Sequence, residues 1–313
     1  MNLKECSYFI AIAEEQSLSR AAERLYMAQS SLSQFLSTLE NEFGTKLFVR
    51  TSKGVRITEA GKLLLDFSYK TLSRLHTVEE QMQDLSALQR GRVIVGISSF
   101  RGSYLLPSVL SAFHLDYPHI DVEFVEENSL ALEQQLLKGE IDIALLVLPT
   151  TDSRISTSFL MKDEICLITS ADHPVMQHVH PNTDFSTSQI PQYIDLRDAM
   201  EYEFFLSDYD TILGREARRC FSRIGMTPIT CNEKLSALFA AALGSCGQGL
   251  AFTYYSSRHY FRNAEFISLG AEGSSIDLGI ALPPGRYHSE ATLAFARVLE
   301  IVLGQEANVG GPS

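Results

Sequence analysis

Side chains that can hydrogen-bond to nucleobases are concentrated in one short run of the sequence. The run holds the amides of Gln29 and Gln34 and the hydroxyls of Ser30, Ser31 and Ser33. Glutamine can form two hydrogen bonds to the edge of adenine, and serine can donate to a base or to a phosphate. This chemistry suits the reading of double-stranded DNA, provided that the run lies on one accessible surface.

Cations follow this run in a segment that contains a glycine. The polar residues of the segment are Arg50, Thr51, Lys53 and Arg56. Gly54 favours a hairpin turn there, because glycine adopts backbone angles that other residues avoid. Cations on a hairpin can contact the phosphate backbone of a duplex. We therefore expect these four side chains to bind phosphates from a wing.

Two predicted helices position both groups. Ser17 or Ser19 caps the first, since a serine hydroxyl accepts a free backbone N–H, and Ser19 and Arg20 are further candidates for DNA contact. The second runs from residue 29 or 30 to about residue 43, where Gly44 ends it in a left-handed conformation. Its expected buried stripe is Leu32, Phe35, Leu36, Leu39 and Phe43.

Two short helices joined by a tight turn and followed by a hairpin indicate a winged helix-turn-helix. The second helix would enter the major groove with its N-terminal residues against base edges. A small helical domain with a solvated basic loop would share much of this pattern, so spacing alone leaves that alternative open.

A longer set of positions shows a family resemblance. The set is Phe9, Ala13, Ser17, Ala21-Ala22, Leu25, Gln29-Ser30, Ser31-Leu32-Ser33, Leu39-Glu40, Gly44, Leu47-Phe48, Arg50, Thr58 and Ala60-Gly61. With this spacing the N-terminal region resembles that of LysR-type transcriptional regulators, and the resemblance weakens after about residue 90. It implies a DNA-binding regulator rather than an enzyme, one that reads a dyad operator, responds to a small effector and acts with RNA polymerase.

The segment after the wing is predicted to be a long linker helix. We assign residues 1–57 to the winged helix-turn-helix and 58–90 to this helix, and we expect Thr58 to cap it. Its apolar residues Leu75, Val78, Met82 and Leu85 alternate by three and four, which is a short coiled-coil seam. Pairing with a second copy would give a homodimer or homotetramer, and the resemblance implies the same. Packing of the helix on its own domain is the alternative.

Beyond residue 90 the pattern alternates strand and helix, which favours an α/β domain with a mostly parallel sheet. We assign residues 91–303 to a two-lobed effector-binding domain that resembles periplasmic binding proteins. Lobe I comprises 91–160 and 268–303, lobe II comprises 161–267, and 304–313 is a flexible tail. The predicted fold class is therefore an all-α winged-helix head followed by a linker helix and an α/β domain.

Ligands of such sheets bind beyond the carboxyl ends of strands and at helix N-termini. Several turns at these positions carry hydroxyls, amides and one cation. The candidate effector-binding residues are Ser98, Ser99, Phe100, Arg101, Asn128, Ser129, Phe204, Leu206, Gly247 and Thr253. They favour a small anion such as a carboxylate. Arg101 could pair with that anion or lie in solvent, and each serine could equally be a helix cap.

Charge is distributed unevenly along the chain, whose formal net charge is −12. Residues 1–65 hold eight Lys and Arg against seven Asp and Glu, whereas the remainder holds 18 against 31. The acidic body would repel DNA, so docking should use the N-terminal head alone. No apolar run is long enough for a membrane span and no signal sequence begins the chain, so we expect a cytoplasmic protein.

Other chemistries find weaker support in the sequence. No metal-binding spacing, catalytic triad or phosphate-binding glycine loop is evident, so no cofactor or metal is expected. Cys220 and Cys231 flank a predicted turn and could form a redox-sensing pair, although buried reduced thiols are the more common arrangement. A small-acid-binding protein or an enzyme with an added helical domain remains as a further alternative.

Overall fold

The computed structural model describes residues 1–51, 54–84, 91–183, 188–270, 273–285 and 287–308. The side chains of residues 80, 83, 84, 231 and 305–308 are not described. Lys53 of the predicted wing and Leu85 of the predicted seam therefore lie outside the described residues. None of the described helices is both long and apolar enough to cross a membrane.

The N-terminal head is a three-helix unit with a two-stranded hairpin. Its elements are α1 (Leu3–Glu15), α2 (Leu18–Arg24), α3 (Gln29–Phe43), β1 (Phe48–Thr51) and β2 (Gly54–Ile57). Of the two possible caps, Ser17 is the one used, since its hydroxyl accepts the Arg20 N–H at 3.4 Å. Gly44 ends α3 with a φ of +65°, as predicted.

The apolar stripe of α3 packs against α1 and α2. Leu32, Leu36 and Leu39 are buried in the head core, which confirms most of the predicted stripe. Phe43 was expected to be buried but is 52% exposed, because it is the last residue of α3 and lies beyond the packed face.

A long helix, α4 (Glu59–Asp84), leads out of the head. Thr58 caps it by accepting the Gly61 N–H at 3.0 Å, as the sequence predicted. The first half of α4 packs along α1 and contributes Leu64 and Leu65 to the head core.

The rest of the chain is an α/β body. Its first elements are β3 (Gly91–Ile97), α5 (Ser99–Asp116), β4 (Ile120–Glu126), α6 (Ser129–Lys138), β5 (Ile143–Leu148) and β6 (Ser156–Thr169). The middle elements are β7 (His180–Pro181), β8 (Gln192–Tyr193), β9 (Glu203–Ser207), α7 (Ile212–Ile224), β10 (Ile229–Leu235), α8 (Ala237–Ser245) and β11 (Leu250–Tyr254). The chain closes with β12 (Glu265–Ile267), β13 (Ser274–Leu282) and α9 (Glu290–Asn308).

The main sheet has the strand order β10-β9-β11-β6-β13-β5-β3-β4, with β12 paired to β6. Strands at either end pair in parallel, but β13 is antiparallel to β5 and β6, and β11 and β12 are antiparallel to β6. The prediction of a mostly parallel sheet was thus too simple. The chain leaves the first half through β6 and returns through β13, so the two crossing strands must run in opposite directions.

Buried apolar residues form separate cores on either side of these crossing strands. One core contains β3, β5, α5 and α9, and another contains β9, β11, α7 and α8. Phe100 of α5 is the exception, because it packs into the second core. α9 continues to Asn308, into the segment predicted as a tail.

Candidate DNA-reading surface and effector site

The first turns of α3 present the predicted base-reading run on the outside of the head. Gln29, Ser30, Ser31 and Gln34 are exposed, and Ser33 is half-buried. The N-cap residue, Ala28, makes no side-chain hydrogen bond to the helix. Amides, hydroxyls and the open start of α3 are therefore accessible together on one end of the head.

The wing is a regular antiparallel hairpin. Arg50 pairs with Val55 and Arg56 pairs with Val49, so the two exposed arginines lie on opposite faces of the ribbon. The sequence had grouped them as one cationic patch. Gly54 has a φ of +135°, and a Cβ there would collide with the Gln16 carbonyl. That close approach lets the Val55 N–H bond to the same carbonyl at 2.8 Å, which fixes the wing against α1.

One carboxylate joins α3 to the base of the wing. Glu40 accepts the backbone N–H groups of Leu47 at 2.9 Å and Phe48 at 3.2 Å, and Lys46 Nζ at 2.6 Å. Burial tends to raise the pKa of Glu40, but the hydrogen bonds from Lys46, Phe48 and Leu47 outweigh it and hold the pKa below its ordinary value. Glu40 is therefore ionised at neutral pH and orients the wing relative to the base-reading run.

Two further residues lie near this surface. Arg20 hydrogen-bonds to the Glu15 carbonyl and lies 3.7 Å from the Glu15 carboxylate, but its side chain is 64% exposed, and Ser19 is also exposed. Tyr26, in the turn between α2 and α3, is 98% exposed and has a φ of +53°. This exposure adds a phenol to the accessible surface.

Three of the predicted effector residues, Ser99, Phe100 and Arg101, lie in the first turn of α5, and the last two pack against Tyr254 of β11 in the other half of the body. Arg101 is 3% exposed, and its guanidinium carbon lies 4.2 Å from the centre of the Tyr254 ring. Its Nε and Nη2 atoms are buried and make no hydrogen bond to any described residue. The alternative that Arg101 lies in solvent is therefore wrong. The guanidinium of Arg101 therefore presents two buried N–H groups that can donate hydrogen bonds to a ligand.

A polar network that the sequence did not indicate lies beside Arg101. Asp163 accepts the Ser256 N–H at 3.0 Å and the Ser256 hydroxyl at 2.6 Å, and Tyr104 lies 3.0 Å from that hydroxyl. Burial raises the pKa of Asp163, although the Ser256 hydrogen bonds and the charge of Arg101 act against the rise. Asp163 lies in β6 and Ser256 follows β11, so no local sequence signal joins them.

The remaining candidates divide into caps and core residues. Asn128 caps α6 by accepting the Ala131 N–H at 3.0 Å, whereas Ser98 makes no such capping bond to α5. Phe204 is fully buried against Phe221 and Phe252.

The other positions also differ in accessibility. Ser99 is exposed and Ser129 half-buried, each in the first turn of its helix. Leu206 is buried in the same core as Phe204. Thr253 is buried and lies 3.0 Å from the Ser257 hydroxyl. Gly247 follows the C-terminal end of α8 and faces Ser170.

Of the two cysteines considered for redox sensing, the structure describes the side chain of only Cys220. Cys220 is buried in α7, with Arg223 Nη2 at 3.3 Å from its sulfur. The side chain of Cys231 lies outside the described part of the chain. Among the described residues no group of His, Cys, Asp or Glu is arranged to hold a metal ion.

The fold and the two surfaces define a class of protein: a winged helix-turn-helix head, a long connecting helix and a two-lobed α/β body. Residues 3–62 match the family profile "Bacterial regulatory helix-turn-helix protein, lysR family", and residues 86–303 match "LysR substrate binding domain". The chain belongs to the LysR family of transcriptional regulators, which are not enzymes.

Individual relatives agree with this assignment. The "Uncharacterized HTH-type transcriptional regulator YcgK" of Bacillus subtilis is 35% identical over 167 residues, which are 53% of this chain and 52% of that protein. The chain thus spans about half the length of such curated relatives.

Solved structures share the fold over the full chain. A full-length OxyR variant from Pseudomonas aeruginosa has a TM-score of 0.66 at 23% identity and covers 96% of this chain and 95% of its own. Full-length CbnR "complexed with the target DNA complex" has a TM-score of 0.62 at 18% identity, covering 96% and 100%.

Proposed function

We propose that this chain regulates transcription by binding a dyad DNA site through its head and a small anion between its lobes. The head comprises residues 1–57, the linker 58–90 and the effector domain 91–303. The anion binds the two lobe arrangements with different affinity and thereby shifts the placement of the heads. The observation that carries the anion assignment is the buried Arg101 with two unpartnered N–H donors.

DNA binding is supported by the shape and chemistry of the head. The accessible run from Gln29 to Gln34 at the start of α3 suits base edges in the major groove. Arg50, Thr51 and Arg56 are exposed on a ribbon with cations on both faces, which suits a wing that contacts phosphates on either side. The related fold of CbnR, captured with its target DNA, supports the same use.

An anionic effector is supported by the free-energy cost of burying N–H donors of Arg101 without hydrogen-bond partners. A buried cation with unsatisfied donors destabilises a protein by several kcal/mol, whereas a planar carboxylate satisfies the guanidinium fork with two parallel hydrogen bonds. The stacking on Tyr254 fixes the plane of that fork. We therefore assign the effector as a carboxylate or similar small anion, with Ser98, Ser99 and Ser129 as further donors at its rim.

Assembly is supported by the outer face of α4. Leu75 and Val78 are exposed, and Met82 is 64% exposed, so these three seam residues remain accessible in the described part of the chain. Pairing of this seam with a second copy places two heads for two half-sites. We propose a homodimer or homotetramer that acts with RNA polymerase.

Two measurements with the full-length protein test the proposal. The first selects bound fragments from a pool of genomic DNA and footprints them, and a protected dyad is expected. No enrichment over competitor DNA would overturn the proposal that the head reads DNA.

The second compares thermal stabilisation by simple carboxylates with that by their amides, for example benzoate, succinate and pyruvate against benzamide, succinamide and pyruvamide. Equal responses to acids and amides would overturn the anion assignment.

A further inference from the structure

Three parts of the chain meet at the C-terminal end of α6. Lys138, the last residue of α6, lies 3.0 Å from the Tyr69 hydroxyl of α4 and 4.3 Å from the centre of its ring. Tyr69 in turn donates to Glu14 of α1 at 2.5 Å, and Lys138 is 3.9 Å from the same carboxylate. The head, the linker helix and the first lobe are thus joined by one chain of polar contacts.

The contact is better shielded than a surface ion pair. Tyr69 is buried, and the side chains of Lys138 and Glu14 are 34% and 29% exposed. Burial and the hydrogen bond to Glu14 raise the pKa of Tyr69 well above its ordinary value, so the hydroxyl remains a neutral donor. Arg24 also holds Glu14 at 2.7 Å, which fixes the carboxylate on the head side.

A second contact braces the same junction. His76 of α4 lies 3.2 Å from Asp142, whose other oxygen accepts the Ile94 N–H at 2.8 Å. His76 and Ile94 line a cavity of about 560 Å³ together with Tyr69 and Lys138, between α1, α4, β3 and α6. The head therefore rests on the first lobe through polar groups around a gap rather than through a packed apolar interface, which is the kind of contact that can open.

The elements at this junction also reach the interlobe site. α6 begins at Ser129, next to its cap Asn128, and ends at Lys138, so its ten residues form a rigid rod of about 15 Å. β3 runs from the junction at Ile94 to Ile97, directly before Ser98. One end of each element carries predicted effector contacts and the other end contacts the head or its linker.

We propose that Glu14, Tyr69 and Lys138 form a junction latch that holds each head in one orientation against its own first lobe. Opening of the latch is the movement through which the interlobe site acts on DNA binding. This regulation rests on the proposed function, because it needs DNA on the head and a ligand between the lobes. The latch itself is a property of the free protein and is measured without either.

Amide hydrogen exchange of the full-length protein tests the latch directly. In Lys138→Met, exchange of the amides at 135–140 should rise about tenfold, because the docked head no longer shields them, while the second core stays unchanged. Lys162→Met, which removes an exposed lysine from β6, is the matched control and should leave these amides unchanged. Equal rates in Lys138→Met and the control would overturn the latch.

A double-mutant cycle excludes a merely local effect. Tyr69→Phe keeps the ring but removes the hydroxyl, and should give a smaller increase in exchange than Lys138→Met. The double variant should exchange no faster than Lys138→Met alone, since both changes break one contact. Strictly additive increases in log rate would show independent roles and overturn the proposal. Lys138→Arg, which keeps the charge, should restore most of the protection.

DNA binding separates the latch from the function on which it rests. With the dyad recovered by selection, Lys138→Met should bind roughly fivefold more weakly, because two loosely held heads engage linked half-sites less effectively. Binding to a single half-site should be unchanged. If the wild type binds no DNA, the proposed function fails while hydrogen exchange still decides the latch. If it binds and the variant matches it on the dyad, the regulatory role fails.

Discussion

The proposed base-reading run on α3 and the proposed interlobe site around Arg101 would meet their ligands in opposite ways. Gln29, Ser30 and Ser31 are exposed, so water satisfies their amides and hydroxyls before DNA arrives. Arg101 is buried, and two of its donors have no partner among the described residues. Exposed polar side chains cost the free protein little stability, and their contacts with DNA contribute mainly to sequence specificity. A buried cation destabilises the free protein, so a matching anion contributes much more binding free energy there.

The strongest way to break this comparison is to remove the buried cation. Arg101→Met keeps the apolar stem and should weaken binding of the active carboxylate by about 100-fold, or about 2.7 kcal/mol. Because the charge of Arg101 also opposes the rise in the pKa of the buried Asp163, the same change should raise the pKa of Asp163 further. Titration calorimetry measures the loss of affinity.

The control for this variant is Arg154→Met, an exposed arginine that pairs with Asp152. It should leave anion binding unchanged. A ligand affinity that is the same in Arg101→Met as in this control would mean that the guanidinium does not face the ligand.

Base reading by the exposed run at the start of α3 can be tested by removing one side-chain amide. Gln29→Ala should cost about 1–3 kcal/mol at the preferred operator and much less at unrelated sequences, because base contacts carry the sequence information. Competition binding with operator and non-operator duplexes measures the difference. Gln34→Ala, one turn further along α3, is the internal comparison. A uniform loss at all sequences would instead identify Gln29 as a phosphate contact.

The junction between α3 and the wing should show a pH-dependent stability. Glu40→Gln should lower the free energy of unfolding by about 1–2 kcal/mol at neutral pH, since the charged partner of Lys46 and the backbone is lost. The folded pKa of Glu40 is depressed, so its contribution is present above the unfolded pKa and disappears as the pH falls through the folded pKa.

Denaturant unfolding at neutral and acidic pH measures this contribution. The difference between Glu40→Gln and the wild type should shrink on acidification. Glu42→Gln, an exposed neighbour on α3, should show no comparable loss at either pH. A constant difference across the range would contradict the ionised role of Glu40.

The smallest expected effect concerns the wing. Arg50→Ala and Arg56→Ala should each weaken binding several-fold at every sequence and reduce the salt slope by about one. Because the two arginines lie on opposite faces of the ribbon, their effects should be additive. Binding isotherms at several salt concentrations give both slopes. A change in sequence preference would show that the wing also reads bases.

The head could be predicted from the sequence because its signals are local. The α3 bounds, the Gly44 cap and the Thr58 cap all depend on residues within a few positions of each other. Phe43 was misplaced because helical spacing does not reveal where the neighbouring helices end. The opposite faces of Arg50 and Arg56 depend on strand register, which their spacing alone did not suggest.

The surroundings of the proposed interlobe site could not be predicted from the sequence. Arg101 became a candidate because it follows a strand and opens a helix, but its burial depends on Tyr254, which lies far along the chain. Asp163 and Ser256 were missed for the same reason. Phe204 satisfied the positional rule for ligand contact, yet the fold uses it to fill a core with Phe221 and Phe252.

The pairing of β6 with β13 limits how the two halves of the body can move. Their backbones are hydrogen-bonded from Ser156 and Leu282 to Ile165 and Ser274, so neither strand can slide along the other without losing that ladder. The register shifts where Leu160 is inserted opposite Leu278 and Gly279, and such a bulge locally bends and twists a ribbon. Under the proposed regulation, the two halves therefore rotate slightly about this bent pair of strands, and the resulting displacement grows with distance from it.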